Sequence, residues 1–466
     1  MSHLLNETYR APLAFTIMGL MLVAVGLGQS WSVALAILNL CLISAIMSLG
    51  VNIQWGYAGL LNLGVMGFTA LGGVAAVLIS QSPVVEAWAV GGPGILISLM
   101  LVIVVVIICL KINRHITHVW ARRLMLGGII VVGYLLINHF YIPAVKSIEA
   151  INPASSGFLG GFGLPIILSW AVGGMLAAAV ALIIGKITLG LRADYLAIAT
   201  LGISEIIIAV LKNEDWLTRG VKNVAGLDRP VPYELDLQNS TWFVDAVYWL
   251  HSAKLEDLDY IAQQKLLQDL VIQSSSIFVK LCYMGLFTLV LLIVLALSVK
   301  ALNSPWGRMM RAIRDNEEAA NAMGKNVVRQ HLQVFILGSA VVGIAGAMLA
   351  TLDGQFTPTS YQPLRFTFLI WLMVIVGGSG NNLGAVFGGF FIWFMWIEAE
   401  PISIFLIELV TTGLHEDSPI QAKLIKNAPH LRLFIMGLVL LLTMRFMPKG
   451  VIPEQTRLHT ISPNTA

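Results

Sequence analysis

Residues 33–80 read VALAILNLCLISAIMSLGVNIQWGYAGLLNLGVMGFTALGGVAAVLIS, and none of them carries a charge. The run is part of a longer one, since no Asp, Glu, Lys or Arg occurs from Ala11 to Val85. A helix needs about 20 apolar residues to cross the hydrocarbon core of a bilayer, so this interval alone holds several crossings. Stretches 87–110, 150–185, 281–299 and 366–397 are equally free of charge. Their apolar residues run on without the polar alternation of barrel strands, which points to helices.

Composition agrees. Only 11% of the 466 residues are charged, 57% are hydrophobic and 43 are glycine, whereas soluble domains carry roughly 25% charged residues. Mean hydropathy is +0.83, and no soluble fold can bury that much apolar surface. The expected fold is all-α, a polytopic transmembrane helical bundle of about ten to twelve spans. Cutting the apolar runs at Gly, Pro and charged clusters places spans near 12–27, 32–49, 58–79, 94–112, 124–143, 164–185, 195–211, 276–298, 331–352, 364–378, 383–398 and 431–447. The first is read as a retained helix, because more apolar chain follows it without a small-residue cleavage site. Cys41, Cys109 and Cys282 all lie in apolar segments and read as buried thiols.

Basic residues fall in alternate loops, as the positive-inside rule requires. Loop 111–123 carries Lys111, Arg114, Arg122 and Arg123 without an acid. Loop 299–330 carries Lys300, Arg308, Arg311, Arg314, Lys325 and Arg329 against Asp315, Glu317 and Glu318. Placing both inside, with an even number of spans, puts both termini in the cytoplasm, near Arg10 and near Arg445, Lys449 and Arg457. Residues 212–275, with ten acids against six bases, are then an extramembrane insertion on the outer face. It divides an N-terminal transmembrane region, 1–211, from a C-terminal one, 276–466. Within the insertion Asp257 to Gln273 has an amphipathic helical pattern. The apolar run Ile402 to Leu414 reads equally as an interfacial helix or a half-span.

Two clusters of Gly and Asn interrupt the uncharged stretches: Gly56, Gly59, Asn62, Gly64 and Gly67, and Gly377, Gly380, Asn382, Gly384 and Gly388. Small residues permit close helix packing. They also permit broken or re-entrant helices from two related halves beside a substrate path. Both readings fit. Asn52, Asn62, Gly380 and Asn382 are therefore candidates for a translocation path or for links between helices. Glu205, two turns into a span, joins them, because an unpaired charge there costs on the order of 2.5–3.5 kcal/mol or more. It either lines the path or bonds a neighbouring helix, Arg192 or Lys212.

Soluble chemistry is missing from the chain. Gly185-Lys186 and Gly324-Lys325 are the only Gly-Lys pairs, and neither is followed by Ser or Thr, so no phosphate-binding loop is formed. His115 and His118 lack the Cys or acid neighbours of a metal site and read as a solvated loop. Asn6-Glu-Thr8 and Asn239-Ser-Thr241 match a glycosylation pattern that occurs readily by chance.

The loop from Ser304 to Asn326 reads as a basic amphipathic helix that starts at Pro305 and pauses at Gly324. Met309, Ile313, Ala320 and Met323 lie on or near one face, and Arg311 and Arg314 are spaced to pair with Glu317 and Glu318. Such a helix lies on a membrane surface or docks in a partner's groove.

Five blocks in order carry a resemblance. Glu318-Ala319-Ala320-x-x-x-Gly324 resembles the coupling signature of permease subunits in ABC importers. Ser304-Pro-Trp-Gly-Arg-x-x-Arg-Ala-Ile-Arg-Asp-x-Glu317, Val376-Gly-Gly-x-Gly380-x-x-x-Gly384 and Met447-Pro-x-Gly450 narrow it to the LivM-type permeases of branched-chain amino acid importers. Leu49-Gly-x-Asn52-Ile-x-x-Gly-x-Ala-Gly59-Leu-Leu-Asn62-Leu-Gly64 and Leu191-Arg-x-Asp194-Tyr-Leu-Ala-Ile-x-Thr-Leu-Gly-x-x-Glu205 are similar to the same family. Together the blocks and their surroundings cover about three fifths of the chain.

The resemblance implies an inner-membrane permease that pairs with a second, homologous permease, two cytoplasmic ATPase subunits and a periplasmic substrate-binding protein. ATP and Mg would sit on the ATPases, with no cofactor on this chain, no catalysis by it and no nucleic acid partner. The 304–326 helix would enter a cleft on an ATPase, with Glu318 meeting basic groups and Gly324 permitting the turn. The outer insertion would face the binding protein. Three features depart from the family: Thr218-Arg219-Gly220 stands where many members have Thr-Gly-Gly, the insertion to about 275 is longer than expected, and 94–145 is expanded. Rival readings are a urea or short-amide permease of the same family, a proton-coupled secondary transporter using Glu205, and a non-transporting scaffold.

Overall fold

A computed structural model describes residues 7–152, 157–255, 259–411 and 419–454. Among these, ten helices are long and apolar enough to cross a membrane, and two shorter apolar helices stand beside them. The order begins with α1 (Glu7–Gly28), α2 (Trp31–Val51), a π-turn over Asn52–Gly56, α3 (Val65–Ser80), α4 (Val85–His115), α5 (Val119–Ala150), α6 (Ile167–Thr188) and α7 (Ala193–Asn213). A polar segment follows with α8 (Asp215–Thr218), β1 (Val224–Ala225), α9 (Glu234–Asn239), α10 (Thr241–Leu250) and α11 (Ser252–Leu255). The rest comprises α12 (Tyr260–Asn303), α13 (Pro305–Asp315), α14 (Glu317–Ala322), α15 (Val327–Asp353), β2 (Gln355–Phe356), α16 (Pro363–Gly377), α17 (Asn382–Thr411) and α18 (Pro419–Phe446). The protein is an all-α, multi-pass membrane protein.

Three features differ from the sequence expectation. The crossing expected over 58–79 is part helix and part extended chain, since residues 59–64 are not helical and α3 starts at Val65. Non-helical backbone inside a bundle must find its hydrogen bonds in protein. Here Leu63 N donates to Thr200 Oγ1 at 3.0 Å, Gly64 N to Asn62 Oδ1 at 2.8 Å, and Trp371 Nε1 to the Asn62 carbonyl at 3.0 Å. Second, α12 is one helix of 44 residues, so it passes through residue 275 without a break. At 1.5 Å per residue it is about 66 Å long, against a hydrocarbon core of about 30 Å, and its first part packs against α9 and α10. Third, residues 402–411 continue α17 through Pro401 as neither a separate interfacial helix nor a half-span. Residues 412–414, Asp257, Asn6 and Arg457 lie outside the described residues.

The centre is built from α2, α3, α6, α15, α16 and α17. Glycine permits its close approaches: a Cβ added at Gly72 would strike the Gly343 carbonyl, one at Gly346 the Thr69 carbonyl, and one at Gly388 the Met373 carbonyl. Van der Waals contact between backbones at this range is a main attraction between helices in lipid, where burial alone gives little. In contrast, α4 and α5 form a hairpin with its own small cluster of Ala87, Ile95, Ala144 and Ile148. Trp216 Nε1 and the Glu214 carboxylate tie it to the rest through the Tyr141 hydroxyl. Leu99, Ile103, Val131 and Leu135 are exposed around it, a continuous apolar surface suited to lipid.

At one end of α15 lie α13 and α14. At the other, β1 and β2 pair antiparallel, Val224 with Phe356 and Ala225 with Gln355, joining the polar segment to the bundle.

Candidate functional site

The turn into α13 is determined locally. Pro305 occupies the first helical turn, where its missing N–H is no loss. Ser304 Oγ donates to the Ala301 carbonyl at 2.6 Å and Arg311 Nη2 to the Leu302 carbonyl at 3.1 Å. Gly307 lies so close to Leu302 that a Cβ would collide with its backbone. One face of α13 then enters the bundle, with Met310 and Ile313 fully buried.

The expected single run from Pro305 to Gly324 is two helices. Asn316 adopts an extended backbone, φ −157°, and its side chain accepts from Ala319 N, which ends α13 and starts α14. The break turns the second half away, so Met323 is exposed, not aligned with Ile313. It also prevents the expected pairing of Arg311 and Arg314 with Glu317 and Glu318. Glu317, Glu318 and Ala319 are exposed and Ala320 is half-buried. Gly324 closes the segment with φ +76°, in the left-handed region. Beside it a shallow groove is lined by Glu317, Asn321, Gly324 and Val328.

Arg314 does the joining. Its Nη1 donates to the Gly56 carbonyl at 2.5 Å and to Glu454 Oε2 at 3.0 Å, its Nη2 to Glu454 Oε1 at 3.3 Å, and its Nε to Asp315 Oδ1 at 3.1 Å. Partial burial works against the guanidinium's charge, yet the hydrogen bond and charge of Glu454, helped by Asp315, hold its pKa above the ordinary arginine value. The forked pairing with Glu454 needs the planar group that only arginine offers.

Behind Arg314 the two Gly-Asn clusters meet. Gly380 N donates to Asn52 Oδ1 at 2.9 Å, and Asn52 Nδ2 donates to Asn382 Oδ1 at 3.2 Å. Asn62 Nδ2 donates to Gln54 Oε1 at 2.9 Å, while Gln54 Nε2 donates to the Phe335 carbonyl at 2.9 Å and Ser339 Oγ at 3.1 Å. The chain after α18 returns to the same place: Val451 N and Ile452 N each donate at 2.9 Å, to the Val376 and Gly377 carbonyls. Asn381 Nδ2 reaches the Pro453 carbonyl at 2.9 Å. All five motif blocks thus converge at one end of the bundle, the Leu191–Glu205 block through Thr200.

Asn52, Asn62, Gly380 and Asn382 therefore sit inside this junction, and Arg311 and Arg314 at its edge. Glu205 does not: it lies on the exposed face of α7, without a hydrogen bond or ion pair among the described residues. Sequence reasoning missed Gln54 and Glu454. Gln54 lies inside a recognised block, and Glu454 follows Gly450 by one turn of chain.

Residues 33–444 match the family described as branched-chain amino acid transport system / permease component. The chain belongs to this family. Among its relatives, the permease is 27% identical over 267 residues to the high-affinity branched-chain amino acid transport system permease protein LivM of Salmonella typhimurium, covering 56% of this chain and 55% of that one. It is 24% identical over 330 residues to LivM of Escherichia coli, covering 70% and 64%. To the probable LivM of Methanocaldococcus jannaschii it is 28% identical over 157 residues, covering 34% and 42%. The permease thus matches less than two thirds of each relative's length. No solved structure matches it.

Mechanically, the junction makes α13, the π-turn of α2, the α16–α17 turn and the C-terminal segment one hydrogen-bonded body. Through Arg314, α13 is bonded directly to the π-turn after α2 and to the C-terminal segment.

Proposed function

We propose that this permease is a membrane subunit of an ATP-driven importer for branched-chain amino acids. It forms the translocation path with a second, homologous permease, takes its energy from two cytoplasmic ATPase subunits that hold ATP and Mg, and receives substrate from a periplasmic binding protein. The carrying observation is the division of labour in the 305–322 segment. α13 is anchored in the bundle and tied to its broken helices, while α14 presents Glu317 and Glu318 to solvent on an exposed face. A helix pair that is rigidly attached on one side and acidic and free on the other is suited to enter a partner's cleft and move the bundle with it.

In this reading α13 and α14 lie in the cytoplasm, the β1–β2 end faces the periplasm of a bacterial inner membrane, and both termini are cytoplasmic. The region 212–275 sits where the binding protein docks. Glu205, exposed on α7, faces the second permease or the path between the two.

The test is uptake of labelled leucine and labelled urea by cells lacking the chain, with and without its restoration beside its operon partners. Leucine uptake that returns and survives an uncoupler while ATP is maintained is the expected result. Rescue of urea alone replaces the substrate and keeps the energy source. Rescue abolished by the uncoupler at constant ATP overturns the ATP-driven reading and favours proton coupling through Glu205.

A further inference from the structure

The end of the bundle opposite the junction holds a cavity of about 290 Å³, near the lower end of the few-hundred-Å³ range of small-ligand pockets. It lies between α2, α3, α15, α16 and α17. Its wall is apolar, formed by side chains including Ile43, Met47, Met66, Ile370 and Met373. Its rim is polar, made of Asp353, Gln355, Thr357, Ser360 and Tyr361, the segment that links α15 to α16.

Two rim groups lack partners. Asp353, the last residue of α15, is exposed at the mouth and has no hydrogen bond or ion pair among the described residues. A single carboxylate at the mouth of an otherwise apolar cavity is the kind of polar group that fixes the orientation of what binds there. Thr357 Oγ1 is buried and has no hydrogen-bond partner among the described residues, although buried polar atoms are nearly always satisfied.

Resting on the importer reading above, we propose that this cavity is a binding site within one protomer for a zwitterionic aliphatic amino acid. The side chain enters the apolar pocket, the ammonium group meets the Asp353 carboxylate, and hydroxyls of Thr357, Ser360 and Tyr361 donate to the carboxylate. The Asp353 carboxylate then faces a cation, and the buried Thr357 hydroxyl gains an acceptor. The methionines make the wall deformable, so leucine, isoleucine and valine all fit. Charged side chains are rejected because the wall gives them no partner. The carboxylate meets neutral donors and no fixed cation, which keeps binding weak enough for release, as a transport intermediate requires.

The experiment uses the assembled transporter in proteoliposomes with ATP inside and binding protein outside, and follows leucine and valine uptake in competition. Asp353→Asn is expected to lower uptake of both about tenfold, the size of one lost charge-assisted hydrogen bond, with assembly unchanged. Leu40→Trp, at a half-buried position lining the cavity, fills its space and is expected to depress leucine more than valine, so the leucine-to-valine ratio falls. A purely structural role would not move that ratio. If Leu40→Trp fails to assemble, Asp353→Asn at the exposed mouth decides alone. Wild-type vesicles that carry leucine, with Asp353→Asn at the wild-type rate, overturn the site while leaving the importer reading intact. Wild-type vesicles that carry no leucine overturn the substrate reading and this site together.

Discussion

Helices α13 and α14 come from one stretch of sequence and touch end to end, yet they differ in nearly every physical respect. α13 buries Gly307, Met310 and Ile313 against the bundle, whereas α14 buries nothing. Arg314 near the end of α13 is held by three carbonyl or carboxylate partners. Glu317 and Glu318, one turn later, face solvent. On the proposed function the segment must grip its own membrane domain and also be gripped by a partner, and one helical face cannot do both. The break at Asn316 separates the two halves by changing the direction of the chain, and the junction around Arg314 ties only α13 to the bundle.

The most severe way to break this contrast is to loosen the anchored half. Met310 is 0% exposed, and Met310→Ala is expected to cost about 2–5 kcal/mol, the range for truncating a large buried side chain. The measurement is the thermal midpoint of the detergent-purified chain, paired with limited proteolysis near Asn303. An unchanged midpoint would mean that α13 is not seated in the bundle as described.

Glu454→Gln attacks the join and leaves the packing intact. It removes the charge from a forked, largely buried pair, leaving Arg314 with Gly56 and Asp315, for an expected loss of about 1–3 kcal/mol. The functional signature is sharper than the stability change: ATP hydrolysis by the assembled complex should persist while import per ATP falls. Arg314→Lys should behave alike, since an ammonium group cannot span Gly56 and Glu454 together. Import that keeps pace with hydrolysis in both variants would break the link between junction and transport.

Gly324→Ala probes where the exposed half ends. Nothing lies within 4 Å of the added Cβ, so the cost is that of a left-handed backbone, about 1–2 kcal/mol. Gly324→Asn should lose less, because asparagine tolerates this conformation. Equal midpoints for alanine, asparagine and wild type would show that the turn does not hold α14 in place.

Much of the bundle was legible because membrane crossing is a local property. Twenty apolar residues without charge announce themselves, and all twelve expected spans correspond to helices over most of their length, the one over 58–79 mainly from Val65 onward. The errors came where helical hydrogen bonding continues across a change in composition. In α12 an amphipathic stretch passes into an apolar one with no break in the backbone, and α17 runs on through Pro401 in the same way. Residues 59–64 fail in the opposite sense: apolar, but unwound, because Thr200, Asn62 and Trp371 supply the hydrogen bonds a helix would have made. The break at Asn316 does have a local signal, since Asn followed by two glutamates is a helix start. The junction was readable only in its parts. Asn52 and Asn382 are 330 positions apart, and no periodicity encodes a pairing at that separation. Both are candidates from the sequence, whereas Gln54 fills an unspecified position of its block and Glu454 stands in no pattern, and these two complete the network.

The variant with the smallest effect on the chain itself tests the presenting face most directly. Glu318 is exposed and has no ion pair among the described residues, so Glu318→Arg should shift stability by no more than about 0.5 kcal/mol. Its consequence belongs to the partner. If Glu318 meets basic groups on an ATPase, reversing its charge places like charges together in a desolvated contact, which costs several kcal/mol. The chain should still insert and pair with its fellow permease, yet no longer copurify with the ATPase subunits or transport. Glu317→Arg, on the flank nearer the groove, is the graded companion and should weaken the contact less if Glu318 is central to it. Copurification and transport at the wild-type level by Glu318→Arg would remove α14 from the coupling path and leave α13 with an anchor but no known surface to transmit from.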